Sequence, residues 1–309
     1  MSSKMDSVLE YSNLSLYKSK KNPILSLWNQ NQRRQEVLQR QKEKRESILL
    51  QLRSCSIDTN LIEESIDESS NNYSKIVHQH RKAPIGMMLA EWLYLPPEDI
   101  SKWFIIPCPR GQRCLVVQQS HRTHVYNKYG KSIRQFHSTL PKNTILFCIY
   151  DPCCSKYNII DVIMWNSCDY SIQIECRCRF FMLQSLEGDT RLNEQFIIIP
   201  RTTIDEKQDI LPAEDGYLFY HPLGFYESGY SPLVCWLQPF MIEEILGIKL
   251  SYPVEKPDEY TTAQAYILEE QTNRKEQQPF VRKSHKRRNK KEMNQDDQDI
   301  DENHPMSID

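Results

Sequence analysis

The stretch TILFCIYDPCCSKYNIIDVIMW, residues 144–165, decides the fold. Its two runs, residues 144–150 and 157–165, are dense in β-branched and aromatic side chains, which suit a pleated, half-buried surface. Asp151, Pro152 and Ser155 between them supply turn chemistry, so the stretch reads as two strands joined locally. Similar runs recur at residues 103–106, 114–117, 172–181, 196–199, 217–220 and 233–237. Neighbouring strands are therefore joined by hairpins rather than helical crossovers, and the expected class is α+β with antiparallel sheets. Two helices are expected in addition. One covers residues 85–93, where apolar residues recur at helical spacing, and the other residues 240–246, which Pro239 would start well.

The cysteines fit this picture. In a strand over residues 172–181, Cys176 and Cys178 lie two apart and share one face. With Cys114 and Cys148 they read as reduced core thiols, because free cysteine is among the most buried residue types. Neither Cys153-Cys154 nor Cys176-Arg177-Cys178 has the two spaced pairs of a zinc ribbon, so neither a metal nor a cofactor is expected. No run approaches the ~18 apolar residues of a membrane span, and the polar N-terminus lacks a signal peptide's apolar centre. A soluble, non-secreted protein with no membrane partner is expected.

A net charge of -2 conceals a segmented chain. Basic residues dominate from Lys18 to Arg53, acidic and Ser/Asn-rich sequence follows from Cys55 to Gln79, and apolar residues then crowd residues 85–248. The segments expected are a basic arm and helix at 1–54, a solvated linker at 55–80, a folded domain at 81–250 and a disordered tail at 251–309. The tail carries VRKSHKRRNKK, residues 281–291, followed by an acidic run. Such a basic cluster suits nuclear localisation or contact with an RNA backbone.

Within the arm, RRQEVLQRQKEKR at residues 33–45 is built of good helix formers without Gly or Pro. Only Val37 and Leu38 are apolar between Asn29 and Ser47, too few for a face that docks on a core. The helix is expected to stand alone in the free protein, either simply solvated or received by an acidic groove of a partner. LSLYKSK, residues 14–20, followed by this run, resembles the importin-β-binding segment of the snurportin family. The resemblance implies that Lys18, Lys20, Arg33, Arg34, Arg40, Lys42, Lys44 and Arg45 carry the electrostatic recognition of importin-β. Members of that family are returned to the cytoplasm by the leucine-rich-signal exportin, and Met5, Val8, Leu9, Leu14 and Leu16 would be its anchors.

The middle of the chain carries the stronger resemblance. MLAEWL (88–93), WFIIPCPRGQRCLVV (103–117), YNKYGKSIRQF (126–136), LFCIYD (146–151), IIDVIMW (159–165), EDGYLFYHP (214–222) and SPLVCWLQPFM (231–241) resemble the snurportin cap-binding domain in unbroken order. The resemblance implies a fold related to the nucleotide-binding domain of messenger-RNA capping enzymes and DNA ligases. It implies a nuclear import adaptor, shuttling between nucleus and cytoplasm, that takes trimethylguanosine-capped small nuclear RNA particles to importin-β. Trp236 would be the stacking platform for the cationic methylated base, although a tryptophan in an apolar run is more often core. Leu89, Trp92 and Cys108 would line the pocket, and Ala90, where the family often has serine, would leave backbone contact only. Gln112, Arg113 and Cys114 would reach the cap, Arg113 toward a phosphate oxygen, and Lys128 would face the triphosphate bridge.

Two rivals remain. A nucleotidyl-transferring enzyme of the related fold needs a lysine nucleophile in a K-x-D-G element and lysines around a K-W-K element. Here Lys128-Tyr129-Gly130 lacks the acidic residue and Cys235-Trp236-Leu237 lacks both lysines, so the site suits binding rather than reaction. A general RNA-binding protein working through its basic ends is the other rival, and its binding would fall steeply with salt.

Overall fold

The computed structural model describes residues 30–58, 86–119, 121–171, 174–204 and 210–276. The chain is organised in two units, Met1–Ile267 and Leu268–Asp309. The first opens with a long helix, α1 (Gln30–Asp58), followed by β1 (Met88–Trp92), β2 (Phe104–Cys108), β3 (Gln112–Gln119), β4 (Arg122–Tyr126), β5 (Ser132–Phe136), β6 (Thr144–Asp151), β7 (Lys156–Trp165) and β8 (Cys168–Asp169). Next come α2 (Cys176–Ser185), β9 (Phe196–Ile198), β10 (Thr202–Thr203), β11 (Gly216–Tyr220), β12 (Gly229–Leu237) and α3 (Ile242–Leu246). A last helix, α4 (Ala263–Glu276), begins in the first unit. The described part of the second unit, residues 268–276, is helical.

Two sheets enclose the core. The five-stranded sheet has the order β1-β12-β11-β2-β10, and the seven-stranded sheet runs β5-β4-β3-β6-β7-β8 with β9 paired to β7. All pairings are antiparallel except β1 with β12 and β7 with β9. The hairpin at residues 144–165 forms as expected, β6 pairing antiparallel with β7 from Ile145↔Met164 to Asp151↔Lys156. A domain of mostly antiparallel sheet behind an N-terminal helix is the α+β class expected. The start expected at Pro239 is also present, as a single 3-10 turn over Pro239–Met241 running into α3.

Three expectations are corrected. Residues 88–92 are a strand, not part of a helix: β1 pairs parallel with β12 and is covered by α1, so Met88 and Trp92 are buried on one face while Leu89 and the Arg33-bound Glu91 lie on the other, and the spacing of its apolar residues does not report its period. Residues 176–181 belong to helix α2, not to a strand. Its buried residues are Cys176, Arg179, Phe180 and Leu183, a helical stripe that a buried arginine interrupts. Cys176 is accordingly buried while Cys178 is exposed, on different sides of the helix. Finally, residues 251–309 are not uniformly disordered, because Ala263 and Ile267 of α4 are fully buried and Tyr266 packs edge-on against Phe240 and Trp92. The basic cluster at 281–291 lies outside the described residues.

Helix α2 packs against strands of both sheets. Phe180 meets Phe104 of β2 and Tyr220 of β11 edge-on at 5.0 and 5.3 Å. Arg179 forms a two-pronged pair with Asp161 of β7, both bonds 2.9 Å, with neither side chain exposed. The first amides of α2, which no helical turn can satisfy, donate to the loop after β11: Cys176 N to Gly224 O and Arg177 N to Pro222 O.

That loop begins with His221, whose Nδ1 accepts the Leu223 amide at 3.1 Å while the ring packs edge-on against Trp103 at 5.1 Å. Burial lowers its pKa below the usual histidine value, Arg34 adds to the lowering, and Asp99 at 3.7 Å opposes it. A histidine that resists protonation when folded lets acid favour the unfolded chain. Stability linked to His221 is therefore complete above about pH 6.5, the ordinary histidine pKa, and is lost as pH falls below it. Melting curves at pH 7.5 and 5.5 are expected to show a lower midpoint in acid, and His221→Gln to reduce that difference.

Candidate functional site

Strand ends from the two sheets meet around Trp236. Cys108 closes β2 and is the register partner of Gly216, which opens β11. Trp236 lies on β12 opposite Leu218 of β11 and Trp92 of β1. Register partners project to the same face, and the neighbouring pair Glu91 and Cys235 faces α1, since Glu91 binds Arg33 and the Cys235 sulfur lies 3.6 Å from Arg34 Nη2. The two tryptophans accordingly face the opposite way, into the core.

Gly216 makes room for the indole. A Cβ there would stand 2.4 Å from Trp236 Cζ2 and 2.6 Å from the Leu237 carbonyl oxygen, so only glycine lets the ring lie across β11. From the other sheet, Arg113 of β3 reaches over the ring with its guanidinium carbon 4.8 Å from the centroid, a cation–π geometry. Gly111, just before β3, has a similar role: a Cβ would stand 2.4 Å from the Tyr150 carbonyl oxygen, so the chain can pass close to β6 before presenting Arg113.

Charge is concentrated here. Burial pushes the Cys108 thiol up to about 12, with Arg113 opposing and Asp215 reinforcing the shift. Asp215 stands beside them, its amide bonded to the Cys108 carbonyl. Partial desolvation raises its carboxyl pKa, and Arg113 and Arg110 pull it back down. The result is an indole with a guanidinium over its face and a carboxylate near that guanidinium.

The structure brings Cys108, Arg113 and Trp236 together, with Trp92 beside Trp236. Leu89 and Ala90 of β1 are half-buried against the core. Gln112 is exposed at the start of β3, opposite Tyr150. Cys114 is not beside Trp236: it alternates with Arg113 and so faces away, buried beside Cys148, its thiol raised to about 12 by burial. Lys128 lies in the exposed β4–β5 turn, its amine 5.1 Å from the Tyr129 ring centre. The β3–β4 register, Leu115 opposite Tyr126, brings that turn to the Arg113 end of the sheet.

Of the basic helix set, Lys18 and Lys20 lie outside the described residues, as do the apolar anchors from Met5 to Leu16. Arg33, Arg34, Arg40 and Arg45 all engage the sheet domain, while Lys42 and Lys44 are exposed. Sequence reasoning missed Asp215 and Gly216 as site residues. The signal was present in the Asp-Gly pair opening a strand-like run, because a glycine inside a strand marks a close approach of another group.

The fold is a two-sheet α+β domain in which an arginine of one sheet covers a tryptophan of the other. Residues 86–239 match the family described as the m3G cap-binding domain of Snurportin1, and this domain belongs to that family. Solved structures similar to the chain include a Lig E DNA ligase, at 13% identity over 50% of this chain and 69% of that one, with a TM-score of 0.37. Another is a mycobacterial DNA ligase D complexed with ATP and MES, at 10% identity over 49% of this chain and 59% of that one, with a TM-score of 0.36.

Proposed function

We propose that the domain binds the 2,2,7-trimethylguanosine cap of small nuclear RNAs, and that the protein is a nuclear import adaptor linking capped particles to importin-β through its basic N-terminal segment. The observation that carries the reading is the guanidinium of Arg113 over Trp236 at 4.8 Å, inside a domain of the cap-binding family. A ring face that holds one flat cation suits another, and guanine methylated at N7 is one. A cap base on that face takes the place of the guanidinium, and Arg113 is then within reach of the phosphates that follow. Lys128, at the same end of the sheet, supplies a second cation to the triphosphate.

The reading is one of binding, not nucleotidyl transfer. A lysine nucleophile needs burial or a neighbouring charge to hold it unprotonated. Lys128 is exposed in a turn, and Cys235 and Leu237, which flank Trp236 where phosphate-clamping lysines would stand, are buried. Shuttling between nucleus and cytoplasm, with return by the leucine-rich-signal exportin through Met5 to Leu16, completes the proposed cycle.

Titration of the full chain with trimethylated, monomethylated and unmethylated cap dinucleotides tests the cap assignment, with tryptophan fluorescence as the readout. Affinity is expected to fall in that order and to depend weakly on salt, because stacking rather than counterion release supplies it. Equal affinity for all three, or a steep salt slope with long RNA preferred, would replace this reading with general RNA binding.

A further inference from the structure

The importin-recognition helix is docked on the cap-binding domain. Among its described side chains the buried ones are Gln30, Arg34, Gln41 and Ile48, spaced 4, 7 and 7 apart, which align on one stripe of an α-helix. Three of the four are polar, and each finds partners. Gln30 Nε2 donates to the Trp92 carbonyl at 2.8 Å, while its Oε1 accepts the amides of Tyr94 and Leu95 at 3.3 and 3.4 Å. Arg34 donates to the carbonyls of Pro232 and Leu95, at 3.3 and 3.0 Å, and lies over Trp103 at 5.3 Å. Gln41 Oε1 accepts the Phe225 amide at 3.0 Å. Ionic contacts flank the stripe: Arg33 grips Glu91 with bonds of 2.9 and 2.8 Å, Arg40 meets Glu227 at 2.7 Å and Arg45 meets Glu175 at 2.9 Å. The expectation of a helix standing alone is thereby corrected, since it rested on the lack of apolar residues and this interface hardly uses any.

We infer that this docked helix is an intramolecular competitor of importin-β: Glu91, Glu175 and Glu227 of the domain stand in for the acidic groove of the partner, and α1 must leave the domain before importin-β can surround it. The inference rests on the adaptor reading above. Four of the arginines assigned to importin-β recognition, Arg33, Arg34, Arg40 and Arg45, are committed to the domain, and one guanidinium cannot serve both surfaces. A helix charged on every side and enclosed by a partner has no spare face through which to remain docked. The latch is built to open: Arg33 Nε and Gln41 Nε2 are buried without a partner among the described residues, so part of their desolvation cost on docking is not recovered. Apparent affinity for importin-β is the intrinsic affinity reduced by the fraction of undocked helix.

Hydrogen exchange on the full chain, free and with importin-β, tests this. In the free protein the amides of Tyr94, Leu95 and Phe225, which α1 accepts, are expected to be protected, and importin-β is expected to deprotect them. The triple variant Glu91→Gln, Glu175→Gln, Glu227→Gln keeps side-chain size and removes the ionic contacts, and it is expected to bind importin-β about tenfold more tightly, the gain when a helix docked about nine-tenths of the time is released. Lys42→Glu with Lys44→Glu, on exposed positions, separates the two ideas: it is expected to abolish importin-β binding and leave the three amides protected. Importin-β bound with those amides still protected, or a triple variant with unchanged affinity, overturns the inference and spares the adaptor reading. No importin-β binding by any of the proteins sinks both.

Discussion

Replacing Arg179 by alanine is expected to lower the stability of the sheet domain by about 3 to 5 kcal/mol, the cost of leaving a buried carboxylate without its partner. For a domain of this size about 2 to 4 °C of melting midpoint accompanies each kcal/mol, so the midpoint falls by roughly 10 °C. Burial works against the charge on Arg179, yet the adjoining Asp161 overcomes it and holds the group protonated. The guanidinium also donates to the carbonyls of Ile174 and Gly224, at 2.8 and 3.1 Å, so one side chain ties α2 to β7 and to the loop that receives the first amides of α2. Asp161→Ala should cost a similar amount. The double variant should cost less than the sum of the two, because it leaves no unpaired charge. Thermal melts of the three proteins measure this, and simple additivity would show that Arg179 and Asp161 do not act as a pair.

The same side chain explains part of what sequence could and could not convey. Strands such as β6, β7, β11 and β12 were legible because their apolar and aromatic residues answer to burial alone. Helix α2 was misread because Arg179, fully buried, occupies a place in the helical stripe that reading by hydropathy assigns to solvent. Helix α1 was recognised as a helix, but its docking was hidden for the same reason: Gln30, Arg34 and Gln41 are buried by hydrogen bonding to backbone groups of residues distant in sequence, and no local pattern announces such partners. Strand β5 was missed for the opposite cause, being exposed along four of its five residues at a sheet edge. Trp236 and Arg113 were legible as site residues by resemblance. Their meeting at 4.8 Å depends on the approach of two sheets, which only the tertiary fold supplies.

Trp236→Ala is expected to reduce affinity for the trimethylated cap tenfold or more. Base–aromatic stacking is worth about 1 to 3 kcal/mol per base, and about 1.4 kcal/mol corresponds to each decade of affinity. The ring is also largely buried, 9% exposed, so its loss removes core contacts as well as a platform, and binding loss alone does not identify its role. A second variant separates the two. Gly216→Ala keeps the indole but puts a methyl group into space held by Trp236 Cζ2 and the Leu237 carbonyl oxygen, so the ring must tilt away from its place under Arg113. It is expected to weaken cap binding strongly and to shift tryptophan fluorescence. Lys128→Ala, in an exposed turn, should cost less, and its effect should shrink as salt screens the phosphate chain. Circular dichroism and melting curves establish that each variant is folded before its affinity is compared. If folded Trp236→Ala and Gly216→Ala proteins both bind the trimethylated cap as the parent does, the base lies elsewhere, and the guanidinium over Trp236 is a packing contact of the core rather than the marker of a ligand site.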